Sequence, residues 1–264
     1  MLWHEHSWPQ IQSLNKNLPV IIPLGSIEQH GHHLPLIVDT AQVTAVADRA
    51  EKSLGSSALF LPTLWLGCSE HHLDFPGTIS VPASLYSQNI KSIARCILHA
   101  GFNRIFFLNG HGGNEAPAAQ ALTEFVGENN TADSAHLAFA SWWHVARDSI
   151  APPRHGLTTP AISHACEYET SLMLTIRPDL VNLPAAREPA PPITSPWFHS
   201  EYGGKVRLFH RFHQYTPVGS MGRPSAATAQ KGESLLTAIT DDVVAFIKDF
   251  SSWPILSPQR VNPD

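Results

Sequence analysis

The segment LPVIIPLGSIEQHGHHLPLIVD, residues 18–39, decides how this chain folds. Residues 18–24 form an unbroken apolar run of strand length, the pattern of a strand buried on both faces. Gly25 then opens a loop rich in Gly and His, and Asp39 closes it just before residues 40–54. There Val43, Val46, Ala47 and Ala50 fall at helical spacing with charges between them. Strand, polar loop and helix in succession form the unit of open α/β sheets, which place their ligands at the carboxyl ends of the strands.

The same unit repeats outward from this segment. Residues 58–64 are a second apolar run ending in a loop, and residues 85–100 read as an amphipathic helix. Residues 104–108 (RIFFL) are the cleanest strand, closed by NGHGGN, with a helix expected over 116–126. A fourth strand is expected at 137–141 and helices at 165–176 and 226–249. This alternation predicts a mostly parallel sheet covered by helices on both faces. From about residue 181 to 223 the chain is rich in Pro, His and aromatics without periodicity, and reads as long loops or short strands packed on the same body. No internal repeat or linker divides the chain, so residues 1–264 are expected to form a single domain.

Composition narrows the function. Charged residues are only 15% of the chain, against roughly 25% in an average soluble domain. The low charge, with Trp197, Phe198, Tyr202, Phe209 and Phe212 in the aperiodic region, predicts apolar surface covered by neighbouring subunits. A net charge of −5 offers no positive field for nucleic acid. No apolar run reaches the ~20 residues of a membrane span. The start, MLWHEHSWPQ, lacks the basic and apolar regions of a secretory signal. Cys68, Cys96 and Cys166 are odd in number and far apart, which fits a reducing compartment, the cytoplasm. The unusual figure is histidine, with 16 residues against 17 Lys and Arg together.

Those histidines gather in the loops. Glu28 and His30, two apart in an extended segment, project to one side, and Asp39 follows nine residues later. A carboxylate, an imidazole and a second carboxylate suit a divalent ion such as Zn²⁺, Mn²⁺ or Fe²⁺, although Asp39 is equally well placed to cap the following helix. His111 sits among three glycines that permit close backbone approach to a ligand. Residues 67–78 (GCSEHHLDFPGT) and 163–171 (SHACEYETS) complete the set. Glu167 and Glu169 open a helix, where acidic residues are ordinary dipole partners. They lie about 200° apart around its axis, so only one can face a given ion. Several His-bearing loops converging on one sheet edge favour a metal site over coincidence.

At these residues the sequence resembles the creatininase (creatinine amidohydrolase) family. GSIEQHGHHLPLIVDT (25–40), HHLDFPGTIS (71–80), NGHGGN (109–114), HACEYETSLML (164–174) and GSMGRPSAATAQKGE (219–233) run in the family's order over about 210 residues. The resemblance implies a three-layer αβα fold, two divalent metal ions per chain (Zn²⁺ with Mn²⁺ or Fe²⁺) and a homohexamer. It places Glu28, His30, Asp39 and His111 on metal-ligand positions, with Asp39 shared by both ions. Creatinine-hydrolysing members carry a further ligand glutamate where this chain has Gly113, and Glu169 is its expected substitute. His164 matches the histidine that acts as general acid or base, whereas Cys166 reads as a small buried residue, not a nucleophile. Weaker expectations for the substrate pocket are Ser69, His72, Trp142 or Trp143, and Gly219 with Gly222, the glycines being equally plausible as turn residues.

The implied activity is hydrolysis of a small amide by a metal-bound hydroxide. Members of the family hydrolyse creatinine, deformylate formamidopyrimidine nucleotides or trim a precursor peptide, and Gly113 weighs against creatinine itself. A non-catalytic metal-binding assembly protein is the alternative of a different class. It is disfavoured because structural zinc sites fill all four positions, whereas this constellation is carboxylate-rich and carried on loops.

Overall fold

The computed structural model describes residues 1–255. In chain order its elements are α1 (Trp8–Ser13), β1 (Pro19–Leu24), α2 (Val38–Leu54), β2 (Leu59–Phe60), α3 (Ala83–His99), β3 (Arg104–Asn109) and α4 (Glu115–Glu128). There follow β4 (His136–Ser141), α5 (Trp142–Val145), α6 (Glu167–Ile176), β5 (Phe198–His199), β6 (Gly203–Gly204) and α7 (Ala229–Ser252). Strands β2-β1-β3-β4 form one sheet in that order, and every pairing is parallel. β5 and β6 pair separately as a small antiparallel hairpin within the aperiodic region.

β1 and β3 are buried along their whole length because their alternate side chains enter two different cores. Ile21, Phe106 and Leu108 pack with Val43 of α2, Leu172 of α6 and Ile239 of α7. Val20, Ile22, Ile105 and Phe107 pack on the opposite face with Ile90 of α3 and Phe125 of α4. Helices therefore cover both faces, giving three αβα layers. Each such buried aliphatic or aromatic contributes about 1.5–3 kcal/mol, which anchors the strand ends from which the loops depart.

The structure departs from the sequence reading in a few places. The apolar run at 58–64 pairs only at Leu59–Phe60, with a separate bridge from Leu24 to Leu64. Pro62 has no N–H to donate, so the ladder breaks there, as edge strands allow. α1 and α5 were not anticipated, being too short to show a periodic stripe. Among the described residues no helix is long and apolar enough to cross a membrane.

α6 and α7 approach closely at Gly232, where a Cβ would collide with the Ser171 carbonyl oxygen. Gly232→Ala is therefore expected to force the two helices apart and to lower stability by about 1–3 kcal/mol. Urea unfolding measures this, and an unchanged midpoint would contradict the close packing.

Candidate metal centre

The loops that carry the expected site histidines leave the carboxyl edge of the sheet. The loop after β1 carries Glu28 and His30, and the first turn of α2 carries Asp39. The loop after β2 carries His71 and His72, His111 follows β3, and His164 and Glu169 come from the start of α6. Two asparagines that the sequence reading passed over tie these loops together. Asn109 donates to the His111 carbonyl (2.7 Å) and to Ser141 Oγ (2.9 Å). Asn114 donates to the Gly25 carbonyl (3.1 Å) and accepts from the Cys68 N–H (3.0 Å), so it joins three loops. Their signal was the pair of asparagines framing the glycines of NGHGGN.

At the centre Asp39 is 3% exposed and faces a different imidazole with each oxygen. Oδ1 lies 3.1 Å from His30 Nε2 and Oδ2 lies 2.9 Å from His111 Nδ1. The helix N-terminus does not use this carboxylate, since α2 has no side-chain cap. The other nitrogen of each ring is committed. His30 Nδ1–H donates to the Glu28 carbonyl (3.1 Å), and His111 Nε2–H donates to the Cys68 carbonyl (3.2 Å) with Ser69 Oγ at 3.0 Å. In the neutral rings, then, it is the lone pairs of His30 Nε2 and His111 Nδ1 that meet carboxylate oxygens.

Glu28 and Glu169 add two more buried carboxylates. Glu28 Oε2 stands 3.3 Å from His111 Nδ1, and Glu169 Oε2 stands 4.0 Å from His30 Nε2. Glu169 is oriented by the Ala165 N–H, which donates to Oε2. Burial pushes the Glu28 and Glu169 carboxyls up from their usual range. Burial also acts on Asp39, but His30 and His111 outweigh it and hold that carboxyl below its usual range. Against burial, Asp39 and its neighbours pull His30 up to about 10, and Glu28 and Asp39 pull His111 up to about 9. Three carboxylates around two imidazoles thus leave a space that requires positive charge.

Glu28 Oε2, His30 Nε2 and Asp39 Oδ2 are buried without a hydrogen-bond partner, and this is the signature expected of metal ligands. Three groups, Glu28–His30–His164, Glu28–His71–His111 and His30–Asp39–Glu169, each bring their donor atoms within 4.8 Å of one another. The donors fit a pair of divalent ions sharing Asp39.

Glu167 is also fully buried but serves packing. It accepts from Lys231 Nζ (2.6 Å) and from the backbone N–H and hydroxyl groups of Thr158 and Thr159. Burial alone would raise its pKa, but Lys231 and the threonines bring it down to about 2.

A cavity of about 330 Å³ opens over the carboxylates. His164, His72, Trp143, Ile162, Phe212 and Met221 are among its walls. His164 Nε2 lies 2.8 Å from the Gln29 carbonyl and 3.0 Å from the Gln29 side-chain amide nitrogen, and Nδ1 faces inward, 3.7 Å from Glu28 Oε1. Burial and the neighbouring His30 charge lower the His164 pKa well below its usual value, so the ring is neutral. Burial likewise pushes the Cys166 thiol up to about 12, which makes it a poor nucleophile.

The remaining pocket expectations divide. His72 is on the wall, but Trp142 is 1% exposed in the core, and its neighbour Trp143 faces the cavity instead. Ser69 lies behind the site as a support for His111. Gly219 has φ +78° and packs against the Gln29 amide, a turn role, and Gly222 has φ +75° against Cys166. Phe212 is buried against His72 and His164, with ring centroids 4.1 and 4.6 Å apart, so it belongs to the cavity and not to an outer surface.

Residues 4–247 match the family described as creatininase, creatinine amidohydrolase. The chain belongs to the creatininase family. It is 27% identical over 241 residues to creatinine amidohydrolase of Pseudomonas putida, covering 87% of this chain and 88% of that one. It is 30% identical over 258 residues to the mycofactocin precursor peptide peptidase of Mycobacterium ulcerans (strain Agy99), covering 94% and 88%. Among solved structures, a mutant creatininase of Zn–Zn type is similar with a TM-score of 0.77 at 25% identity, covering 94% of this chain and 97% of that one. The relatives are hydrolases, and the family's fold is the three-layer arrangement described above.

The contrast between the two glutamates of α6 is directly testable. Glu169→Gln is expected to lose one equivalent of metal, because a neutral amide is a far weaker ligand. Activity should fall by more than the roughly 10–100-fold typical of an outer-sphere partner. Glu167→Gln should keep both equivalents while losing on the order of 3 kcal/mol of stability, since it leaves Lys231 without its buried anion. Elemental analysis and denaturant unfolding of both variants would reveal a reversed pattern if the assignment were wrong.

Proposed function

We propose that this chain is a metal-dependent amidohydrolase that hydrolyses a small amide, with two divalent ions held by Glu28, His30, Asp39, His111 and Glu169. The observation that carries the reading is Asp39, whose two oxygens face two different ring nitrogens, both directed by hydrogen bonds on their far sides. Nitrogen and oxygen donors together suit zinc, with manganese or iron as the other ion. When bound, such a pair supplies acidified water and polarises a carbonyl oxygen.

The chain's own residues do the rest. His164 Nδ1 accepts a proton from the attacking water and returns it to the leaving nitrogen, while the Gln29 carbonyl holds the ring in place through Nε2–H. His72 keeps its proton on Nε2, because Nδ1 accepts from the Gln29 amide (2.9 Å), and donates it to Glu28 Oε1 (3.3 Å). Trp143, Ile162 and Phe212 give the substrate an apolar wall that excludes water, and the cavity volume fits a compact amide or a short peptide end. Because a relative 30% identical to this chain is a peptidase, short peptides belong beside cyclic amides and formamides as substrates.

Two surrounding properties extend this reading. Trp197 and Phe209 are 62% and 87% exposed on the segment around the β5–β6 hairpin, which supports a closed homo-oligomer, hexameric by family resemblance. All three cysteines are unpaired, which supports a cytoplasmic location.

A hydrolysis screen over cyclic amides, formamides and short peptides, with the apoprotein and with added Zn²⁺ or Mn²⁺, tests the activity. Turnover should appear only in the loaded protein, and His164→Ala should reduce it by roughly 10²–10⁴-fold while both ions stay bound. Equal turnover after complete chelation would remove the metal from the account. Light scattering at micromolar concentration should give a multiple of the 28.9 kDa chain, and a monomer would argue against the oligomer.

A further inference from the structure

The two oxygens of Glu28 have unequal surroundings. Oε1 receives the His72 Nε2 proton at 3.3 Å, whereas Oε2 is buried and has no donor. Oε2 lies 3.3 Å from His111 Nδ1, which has a lone pair to give a cation when the ring is neutral and its one proton goes to the Cys68 carbonyl. A third donor reaches the same place. One ring nitrogen of His71 lies within 4.8 Å of the ligand atoms of both Glu28 and His111. The His71 ring is held there by stacking on His111 (centroids 5.9 Å apart, 17° between planes) and by contact with His72 at 4.2 Å.

Gly113 makes this arrangement possible. A Cβ at that position would collide with the Cys68 carbonyl and His111 Nε2, and would stand 2.9 Å from His71 Cε1. No side chain at 113 is compatible with both imidazoles where they are. The position where the family resemblance leads one to expect a further carboxylate is here the space that the two rings need.

We propose that His71 is a further metal ligand, completing the coordination of the ion held by Glu28 Oε2, Asp39 and His111 Nδ1, and that Gly113 is bare so that the ring can reach it. This rests on the two-ion reading above. It makes the two positions chemically unequal. One offers two imidazoles and two carboxylates, and the other offers His30 with the carboxylates of Asp39 and Glu169. The nitrogen-richer position favours zinc, and the oxygen-richer one better accommodates manganese.

The test uses the intact protein labelled with [¹⁵N]histidine and loaded with ¹¹³Cd²⁺, read by cadmium–nitrogen coupling, with His71→Gln to assign the signal. Coupling to three imidazoles is expected, one of which disappears in His71→Gln while the other two remain. Coupling to two imidazoles, unchanged in His71→Gln, would overturn the proposal and leave the two-ion centre intact. Failure to bind cadmium at all would instead overturn the centre itself, and the proposal with it. Independently of any His71 variant, Gly113→Ala should weaken one ion by about 10–100-fold in chelator competition and spare the other. Wild-type affinity at both positions in that variant would count against the role given to Gly113.

Discussion

Everything at the carboxyl edge of the sheet is arranged around one electrostatic problem, the burial of Glu28, Asp39 and Glu169 side by side. Carboxylates taken from water into a shared low-dielectric space repel one another and lose their hydration, and they persist there only with compensating positive charge. Two imidazoles meet this only in part: His30 and His111, themselves pulled up by the carboxylates, hold Asp39 below its usual range, but Glu28 and Glu169 remain pushed up by burial. The inward nitrogens of His30 and His111 converge with the carboxylate oxygens of Asp39 and Glu28. Function and fold meet in that constraint, since the same hydrogen bonds that fix the loops also fix which ring nitrogen points inward.

The scaffold makes the constraint tolerable. β1 and β3 are buried on both faces, and Asn109 and Asn114 clamp the loops that leave them. Glu167 and Lys231 do a similar service on the other side, pinning the start of α6 to residues 158 and 159 and to α7. Glu169, one half-turn further on, is thereby held toward the centre. A buried ion pair is a poor source of net stability, but here it orients a helix whose next carboxylate faces the buried cluster.

Much of this was legible in the sequence, for identifiable reasons. β1 and β3 announce themselves because strands covered on both faces are continuous apolar runs, and α2, α3 and α7 because one-sided burial leaves a periodic stripe. β2 was over-read, since apolarity does not reveal that Pro62 interrupts the ladder. Helical spacing showed only that Glu167 and Glu169 cannot face one ion, and the family resemblance chose Glu169; neither could say that Glu167 would find Lys231, 64 residues away. Adjacent residues of like type were the hardest. Trp143 and not Trp142 lines the cavity, and of the pair at 71 and 72 the sequence reading chose His72, which is the proton donor to Glu28. Nothing in the sequence marks His71, because its place beside the bare Gly113 exists only in the fold. Phe212 was assigned to outer surface because nothing in its neighbourhood is periodic, yet it closes the cavity over His72 and His164.

The central claim is that Asp39 is a carboxylate shared by two cations. Anomalous diffraction from crystals grown with Zn²⁺, collected on both sides of the zinc edge, tests it most directly. The account predicts two peaks per chain roughly 3.5–4 Å apart, one on each side of the Asp39 carboxylate, with His30 and Glu169 on one peak and Glu28 and His111 on the other. A single peak, or two peaks of which only one touches Asp39, would contradict it.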